Sequence, residues 1–359
     1  MNISLKLKTV MADISELNEQ KRKVDFNSYD MSVKELISMV NDGIIDIAPE
    51  YQRQFRWDEE RQSVLIESIL LGIPVPALFM ATNNNGTWEV IDGVQRLSTI
   101  INFVSDIDSI ARKKIDRNSP LKLSGLKKLK SFEGNMFMDL PRTLQIELLL
   151  KPLKITTLSD KSDKSVRFDL FERLNTGGIK LSDQEIRSCI YRGRFNDMLK
   201  ELAQNSHFKH AVRLTESSEG DGTREEFVLR FFAYLYYRNN FEHSVVDFLN
   251  DYMDKASVKF DYNTNVKLFC KVFEELDKLE FGISKKRKRN ITSVILFEAV
   301  AVGAAEVIKD GGVLNIETFY EWVSNKDFNS LVTGATNTKS RVISRIDYCK
   351  SKFSREDVQ

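Results

Sequence analysis

The chain has 359 residues and a formal net charge of +1, with 42% hydrophobic and 29% charged residues. This is the make-up of a folded protein with room for two domains. It excludes a disordered chain, a collagen-like repeat and a globally basic nucleic-acid binder, so any polyanion contact must come from local clustering.

Cys189, Cys270 and Cys349 are scattered and form no C-x-x-C pair, which argues against a disulfide framework or zinc ribbon and for the reduced cytosol. The N-terminus lacks an apolar signal core. The most apolar window, 293–305, is too short to span a bilayer and contains Glu298. It reads as a buried helix, and the expectation is a cytoplasmic protein without a membrane segment.

In chain order, residues 1–30 mix charge with short apolar groups and are expected to form an arm or an edge element. Val33, Leu36, Ile37 and Val40 then follow the spacing of an amphipathic helix, closed by Asn41-Asp42-Gly43. A short strand over 44–47 and a helix over 59–71 follow, the helix stopped by Gly72 and Pro74. Runs 77–81 and 88–91 flank Asn83-Asn84-Asn85-Gly86, an Asn-Gly turn that predicts a hairpin. The second strand leads directly into Asp92-Gly93-Val94-Gln95-Arg96, and Leu97, Ile100, Ile101 and Val104 mark one face of the helix behind it.

Residues 105–139 read as a charged, irregular excursion from the domain, with Lys127, Lys128 and Lys130 in one cluster. A helix over 141–150, a strand over 153–158 and a helix over 164–174 come next. Ser182-Asp183-Gln184-Glu185 is a capping box. From about residue 205 strand signals become rare, and helices are expected over 225–237, 244–253, 262–279, 291–308 and 316–323. The domain boundary is placed near 200, dividing a mixed α/β domain (31–200) from a helical one (201–359).

The 92–96 turn concentrates the chemistry. Glycine at a strand-to-helix corner lets backbone approach an anion, and the positive end of the next helix offers N–H donors. Arg96 adds a fork suited to phosphate, Gln95 can orient a water, and Asp92 can hold Mg²⁺ or polarise that water. The same five residues also fit an ordinary Asp-Gly turn opening a solvated helix.

Tyr51-Gln52-Arg53-Gln54-Phe55-Arg56-Trp57 alternates aromatic and basic groups. In an extended segment, Tyr51, Arg53, Phe55 and Trp57 share a face that could stack a base and clamp a phosphate. The competing reading is an edge strand whose Phe55 and Trp57 pack into the core. Arg173 and Asn175, before Thr176-Gly177-Gly178, either line a ligand pocket or belong to a simple helix C-cap. Lys285, Lys286, Arg287, Lys288 and Arg289 form a run suited to a DNA backbone or to a solvated loop. His207 and His210 lack a third ligand nearby in sequence. No Walker A, H-E-x-x-H or G-x-S-x-G sequence is present.

The order Pro49-x-Tyr51-Gln52-Arg53-x-Phe55-x-Trp57, then Ser68-Ile69-Leu70-x-Gly72-x-Pro74-x-Pro76, then Ile91-Asp92-Gly93-Val94-Gln95-Arg96-Leu97 resembles the DGQQR-motif family. That family includes the N-terminal, S-type half of GmrSD restriction proteins and the SspE-like defence proteins. Phe171-Glu172-Arg173-Leu174-Asn175-Thr176-Gly177-Gly178 with Leu181-Ser182-x-x-Glu185-Ile186-Arg187 is similar to its second signature. Thr333-Gly334-Ala335-Thr336 through Arg345-Ile346 is similar to its C-terminal end.

The resemblance implies an α+β protein: a ParB/sulfiredoxin-like mixed α/β domain followed by an all-helical domain. It implies nucleotide binding and hydrolysis at the turn, with Asp92, Gly93, Gln95 and Arg96 in the site, Arg53 supporting it, and action on foreign or modified DNA. Two departures stand out. Val94 replaces the motif's first glutamine, which bears on hydrolytic rate more than on binding. The HNH nuclease half that follows in many relatives is not recognisable, so DNA cutting would fall to a separate nuclease subunit or to this domain itself.

The leading expectation is an NTP-hydrolysing restriction or phage-defence module using Mg²⁺ and a nucleoside triphosphate. The alternatives are a ParB-like nuclease acting at the same phosphate site and a non-catalytic DNA-binding regulator.

Overall fold

A computed structural model describes residues 25–47, 57–83, 85–115, 117, 119–159, 164–174, 182–285, 291–334 and 336–354. The chain divides into two compact units, Met1–Lys180 and Leu181–Gln359.

The first unit is built on a five-stranded mixed sheet of order β1-β5-β3-β4-β2. β1 (Phe26–Ser32) lies antiparallel to β5 (Pro152–Leu158), and β5 runs parallel to β3 (Leu78–Thr82). β3 pairs antiparallel with β4 (Trp88–Asp92), as the Asn-Gly turn predicts, and β4 pairs in parallel with the short β2 (Ile45–Asp46).

Helix α1 (Val33–Asn41) begins where the Ser32 hydroxyl accepts the Glu35 N–H at 3.2 Å. It buries Val33, Leu36, Ile37 and Val40, the residues its sequence period selects. Helix α2 (Glu59–Leu70) is capped by the Asp58 carboxylate on the Arg61 N–H at 2.7 Å. Two acids in its first turn, Glu59 and Glu60, suit the positive end of the helix. α3 (Val94–Val104) follows β4 directly and buries Leu97, Ile100 and Ile101. Fully burying a side chain of this kind contributes about 1.5–3 kcal/mol. α4 (Ile110–Lys114), α5 (Arg142–Leu150) and α6 (Lys164–Leu174) complete the described helices of this unit.

Residues 105–139, expected to leave the domain, are instead fastened onto it. Leu121, Leu123, Leu126, Phe137 and Leu140 are buried. The Leu121 N–H donates to the Asn102 carbonyl at 3.2 Å, and the Ser124 N–H to the Ser63 hydroxyl at 2.9 Å. The anchors are backbone amides held by the Ser63 hydroxyl of α2 and the Asn102 carbonyl of α3, and beyond α4 the described residues of the segment form only two short 3-10 turns, Lys130–Phe132 and Phe137–Asp139.

The second unit is helical: α7 (Asp183–Ile190), α8 (Arg194–Ala203), α9 (Ser206–Ala211), α10 (Thr223–Tyr237), α11 (Val245–Val258), α12 (Tyr262–Leu276), α13 (Val294–Lys309), α14 (Phe319–Trp322), α15 (Lys326–Val332) and α16 (Lys339–Phe353). It begins earlier than the boundary near 200 read from the sequence. Phe195, Met198, Leu199 and Leu202 of α8 join the hydrophobic core of the helical unit.

α13 is its buried centre, at the apolar window the sequence marks. A side chain at Gly303 would bring its first carbon to 2.7 Å from Cys349 Cβ, so α13 and α16 touch backbone to backbone there. Glu298, 2% exposed, is paired with Arg230 at 2.6 Å and with the fully buried Arg345. Glu226 continues the chain of charges, pairing with Arg230 at 2.7 Å and with Arg187. No helix among the described residues is long and apolar enough to cross a membrane.

Candidate functional site

The site is a corner between β4 and α3. A register shift between Phe79 and Met80 sets Phe79 opposite Asp92 and Met80 opposite Val90, leaving Ile91 as the extra residue. Such a bulge re-aims the side chains after it, and Asp92 is the next residue. Gly93 is the N-cap of α3 with φ of +96°. A Cβ there would lie 2.3 Å from Leu78 Cδ2 and 3.3 Å from Arg96 Cζ, so both backbone angle and space require glycine. Gly93 supplies no capping side chain to the first turn of α3.

Arg96 reaches back across the corner. One terminal nitrogen pairs with Asp92 at 2.5 Å, and the other donates to the carbonyls of Pro76 at 2.5 Å and Ala77 at 3.0 Å. The Arg96 side chain is 13% exposed and that of Asp92 30%. The fork expected to face a ligand thus braces the corner, joining the end of β4 to the chain entering β3. Val94 is buried, so the position that carries glutamine in the DGQQR motif faces the core.

Gln95 is half-buried, and its side-chain oxygen accepts the Trp57 N–H at 3.3 Å. Behind that bond runs a polar relay with no counterpart in sequence spacing. Gln62 donates to the Trp57 carbonyl at 2.9 Å, Asn102 donates to Gln62 Oε1 at 3.1 Å, and Arg112 donates to Asn102 Oδ1 at 3.0 Å. Gln62, Asn102 and Arg112 are all buried. Burial lowers the Arg112 pKa, with Asp106 opposing the shift. The relay fixes the Trp57 backbone that meets Gln95. Its members lie 40 and 10 residues apart, a separation no local pattern reports. The Trp57 ring carries the Arg61 guanidinium at 4.8 Å.

Tyr51, Gln52, Arg53 and Asn175 lie outside the described residues, as do Lys286, Arg287, Lys288 and Arg289. Arg173 stands exposed in the last turn of α6. Lys285 belongs to the helical unit, where it donates to Asn329 Oδ1 at 2.5 Å. His207 and His210 meet Asp277, at 2.7 and 3.5 Å, as side-chain pairs. No group of three His, Cys, Asp or Glu among the described residues is arranged to hold a metal ion. At the corner the carboxylate among the described residues is that of Asp92, which Arg96 already pairs, and one carboxylate fits Mg²⁺ only where the ligand supplies further oxygens.

Residues 33–192 match the GmrSD restriction endonuclease, N-terminal domain. No curated protein and no solved structure matches the chain. The matched segment starts at the first residue of α1 and ends just beyond α7, so it takes in the corner, the relay behind it and the Ser182–Glu185 capping box. The match over residues 33–192 supports a GmrSD-type restriction domain in this part of the chain and indicates a restriction or phage-defence protein.

Proposed function

We propose that the 92–96 corner binds a nucleoside triphosphate and hydrolyses it in the service of DNA restriction. The carrying observation is the strand–Gly93–helix junction. Asp92 ends β4, Gly93 turns at +96°, and the first turn of α3 opens with no capping side chain. A helix N-terminus of this kind favours phosphate through its N–H groups and dipole.

In this reading the first turn of α3 holds phosphate charge, and Asp92 would hold Mg²⁺, which would supply charge neutralisation at the phosphates. Gln95, oriented by the Trp57 N–H, positions the attacking water. Arg96 acts on the phosphates only by exchanging a carbonyl partner, and otherwise keeps Asp92 in place. Val94 faces the core, so its effect on turnover would come through the packing of the corner. Arg53, Tyr51, Gln52, Arg173 and Asn175 are proposed as supporting contacts on the ligand.

The family's description as a restriction endonuclease favours a second reading, a nuclease acting at the same phosphate site. One experiment separates the two: phosphate release and plasmid nicking measured side by side with Mg²⁺, on wild type and Asp92→Ala. Phosphate release without nicking supports the first reading. Mg²⁺-dependent nicking lost in the variant replaces it with the second.

A further inference from the structure

We infer that the loop over residues 121–135 is a docking surface for the phosphate backbone of duplex DNA. The inference rests on the match to a restriction domain, which points to DNA as the partner, and not on nucleotide turnover.

The loop displays Lys122, Lys127, Lys128 and Lys130, all exposed, and none of them makes an ion pair within the described residues. Their carrier is held from beneath. The buried carboxylate of Glu67 accepts the N–H groups of three consecutive residues, Lys127 at 3.2 Å, Lys128 at 2.6 Å and Leu129 at 2.7 Å. Glu133 accepts from Gly125 at 2.7 Å and Leu126 at 3.1 Å. The neck is closed by Leu123 N–H to the Asn135 carbonyl at 3.0 Å and Gly134 N–H to the Leu123 carbonyl at 2.7 Å. Leu121, Leu123 and Leu126 are buried.

Glu67 and Glu133 hold backbone amides, and the Lys127 charge acts on Glu67 without forming an ion pair with it. Glu60 lies beside Gly125, at the start of the loop. A loop fixed in this way loses only lysine side-chain freedom when it meets a polyanion. Compact, hydrated ammonium groups act as point charges suited to phosphate, without the planar fork that reads a base edge. The expected contact is therefore independent of sequence.

The loop is also tied to the corner. Glu67 lies on α2, and Trp57, just ahead of that helix, bonds Gln95. From the Asp58 cap to Glu67 the helix spans roughly 14 Å.

The test is fluorescence anisotropy of the full chain with a labelled, unmodified duplex, titrated with salt. Wild type is compared with Lys127→Gln/Lys128→Gln/Lys130→Gln and with a variant neutralised at Lys285, Lys286, Arg287, Lys288 and Arg289. Each lost phosphate contact reduces the slope of log affinity against log salt by about 0.9. The lysine-loop variant is expected to lose about 2–3 units of slope and to bind at least about tenfold more weakly at low salt, with unchanged circular dichroism. Unchanged affinity and slope would overturn the inference, as would a slope change carried entirely by the 285–289 variant. Phosphate release without DNA should be the same in wild type and the loop variant. A loss there would also overturn it, by making the loop part of the nucleotide site.

Discussion

Asp92 and Arg96, four residues apart across the β4–α3 corner, are ion-paired at 2.5 Å while the same guanidinium holds the Pro76 and Ala77 carbonyls. Sequence alone presents Arg96 as a phosphate fork. Its side chain proves to be the tie that fastens one end of the hairpin to the other. Arg96→Lys keeps the charge but replaces the fork with a single ammonium, which cannot serve three oxygens in the same plane. The expected result is a loss of about 1–3 kcal/mol in urea unfolding, from carbonyls left without a donor, and a larger loss for Arg96→Ala. Wild-type stability in both variants would show that the brace contributes nothing.

Gly93→Ala meets two obstacles at once, a left-handed backbone and the Leu78 side chain at 2.3 Å. A non-glycine residue in that conformation costs about 1–3 kcal/mol, and the overlap with Leu78 adds to it. Thermal melting should show the loss. It should be partly relieved by Leu78→Ala in the Gly93→Ala background, the signature of a steric cause.

Glu67 gives the loop over 121–135 a pH dependence. Burial works to raise its pKa, but the N–H groups of Leu129, Lys128 and Lys127, with the Lys127 charge, outweigh it and hold the carboxyl below its ordinary value. A carboxylate whose folded pKa is depressed stabilises the fold above its unfolded pKa, about 4.3. That contribution fades as pH falls through the folded value. Glu67→Gln should therefore be less stable than wild type at pH 7, and the difference should shrink below about pH 4. A gap of constant size across that range would assign the effect to shape and not to charge.

The helical unit depends on Glu298, which holds Arg230 and Arg345 from inside α13. The charges of Glu298 and Glu226 raise the Arg230 pKa against the lowering effect of its burial. Glu298→Ala leaves a buried guanidinium uncompensated, and an unfolding penalty of about 3–5 kcal/mol is expected. Replacing Glu298 and Arg345 together with apolar residues should recover much of it, since the cost comes from the unpaired charge. Equal losses in the single and double variants would contradict that origin.

What the sequence made legible followed local periodicity. The Val33, Leu36, Ile37 and Val40 stripe, the Asn-Gly hairpin and the Ser182–Glu185 capping box carry their structure within a few residues, and each formed as read. The corner was visible for the same reason, five contiguous residues between a strand and a helix. The 105–139 segment was misread because its anchors are Glu67, Ser63 and Asn102, far away in sequence and bonded to backbone. The Gln62–Asn102–Arg112 relay was missed on the same grounds. The role of Arg96 turned on the carbonyls of Pro76 and Ala77, twenty and nineteen residues upstream, which no motif spacing reveals.

The most direct test of the account is a thermal shift of the full chain with each of the four nucleoside triphosphates and Mg²⁺, on wild type and Gln95→Ala, which leaves the Asp92–Arg96 pair intact. Ligand at a hundredfold excess over Kd stabilises by about 2.7 kcal/mol, a rise of roughly 5–10 °C for a unit of this size. That rise is expected with at least one nucleotide in both proteins, with phosphate release at least about tenfold slower in Gln95→Ala. No shift with any nucleotide in wild type would contradict it, leaving the 92–96 turn as a structural corner.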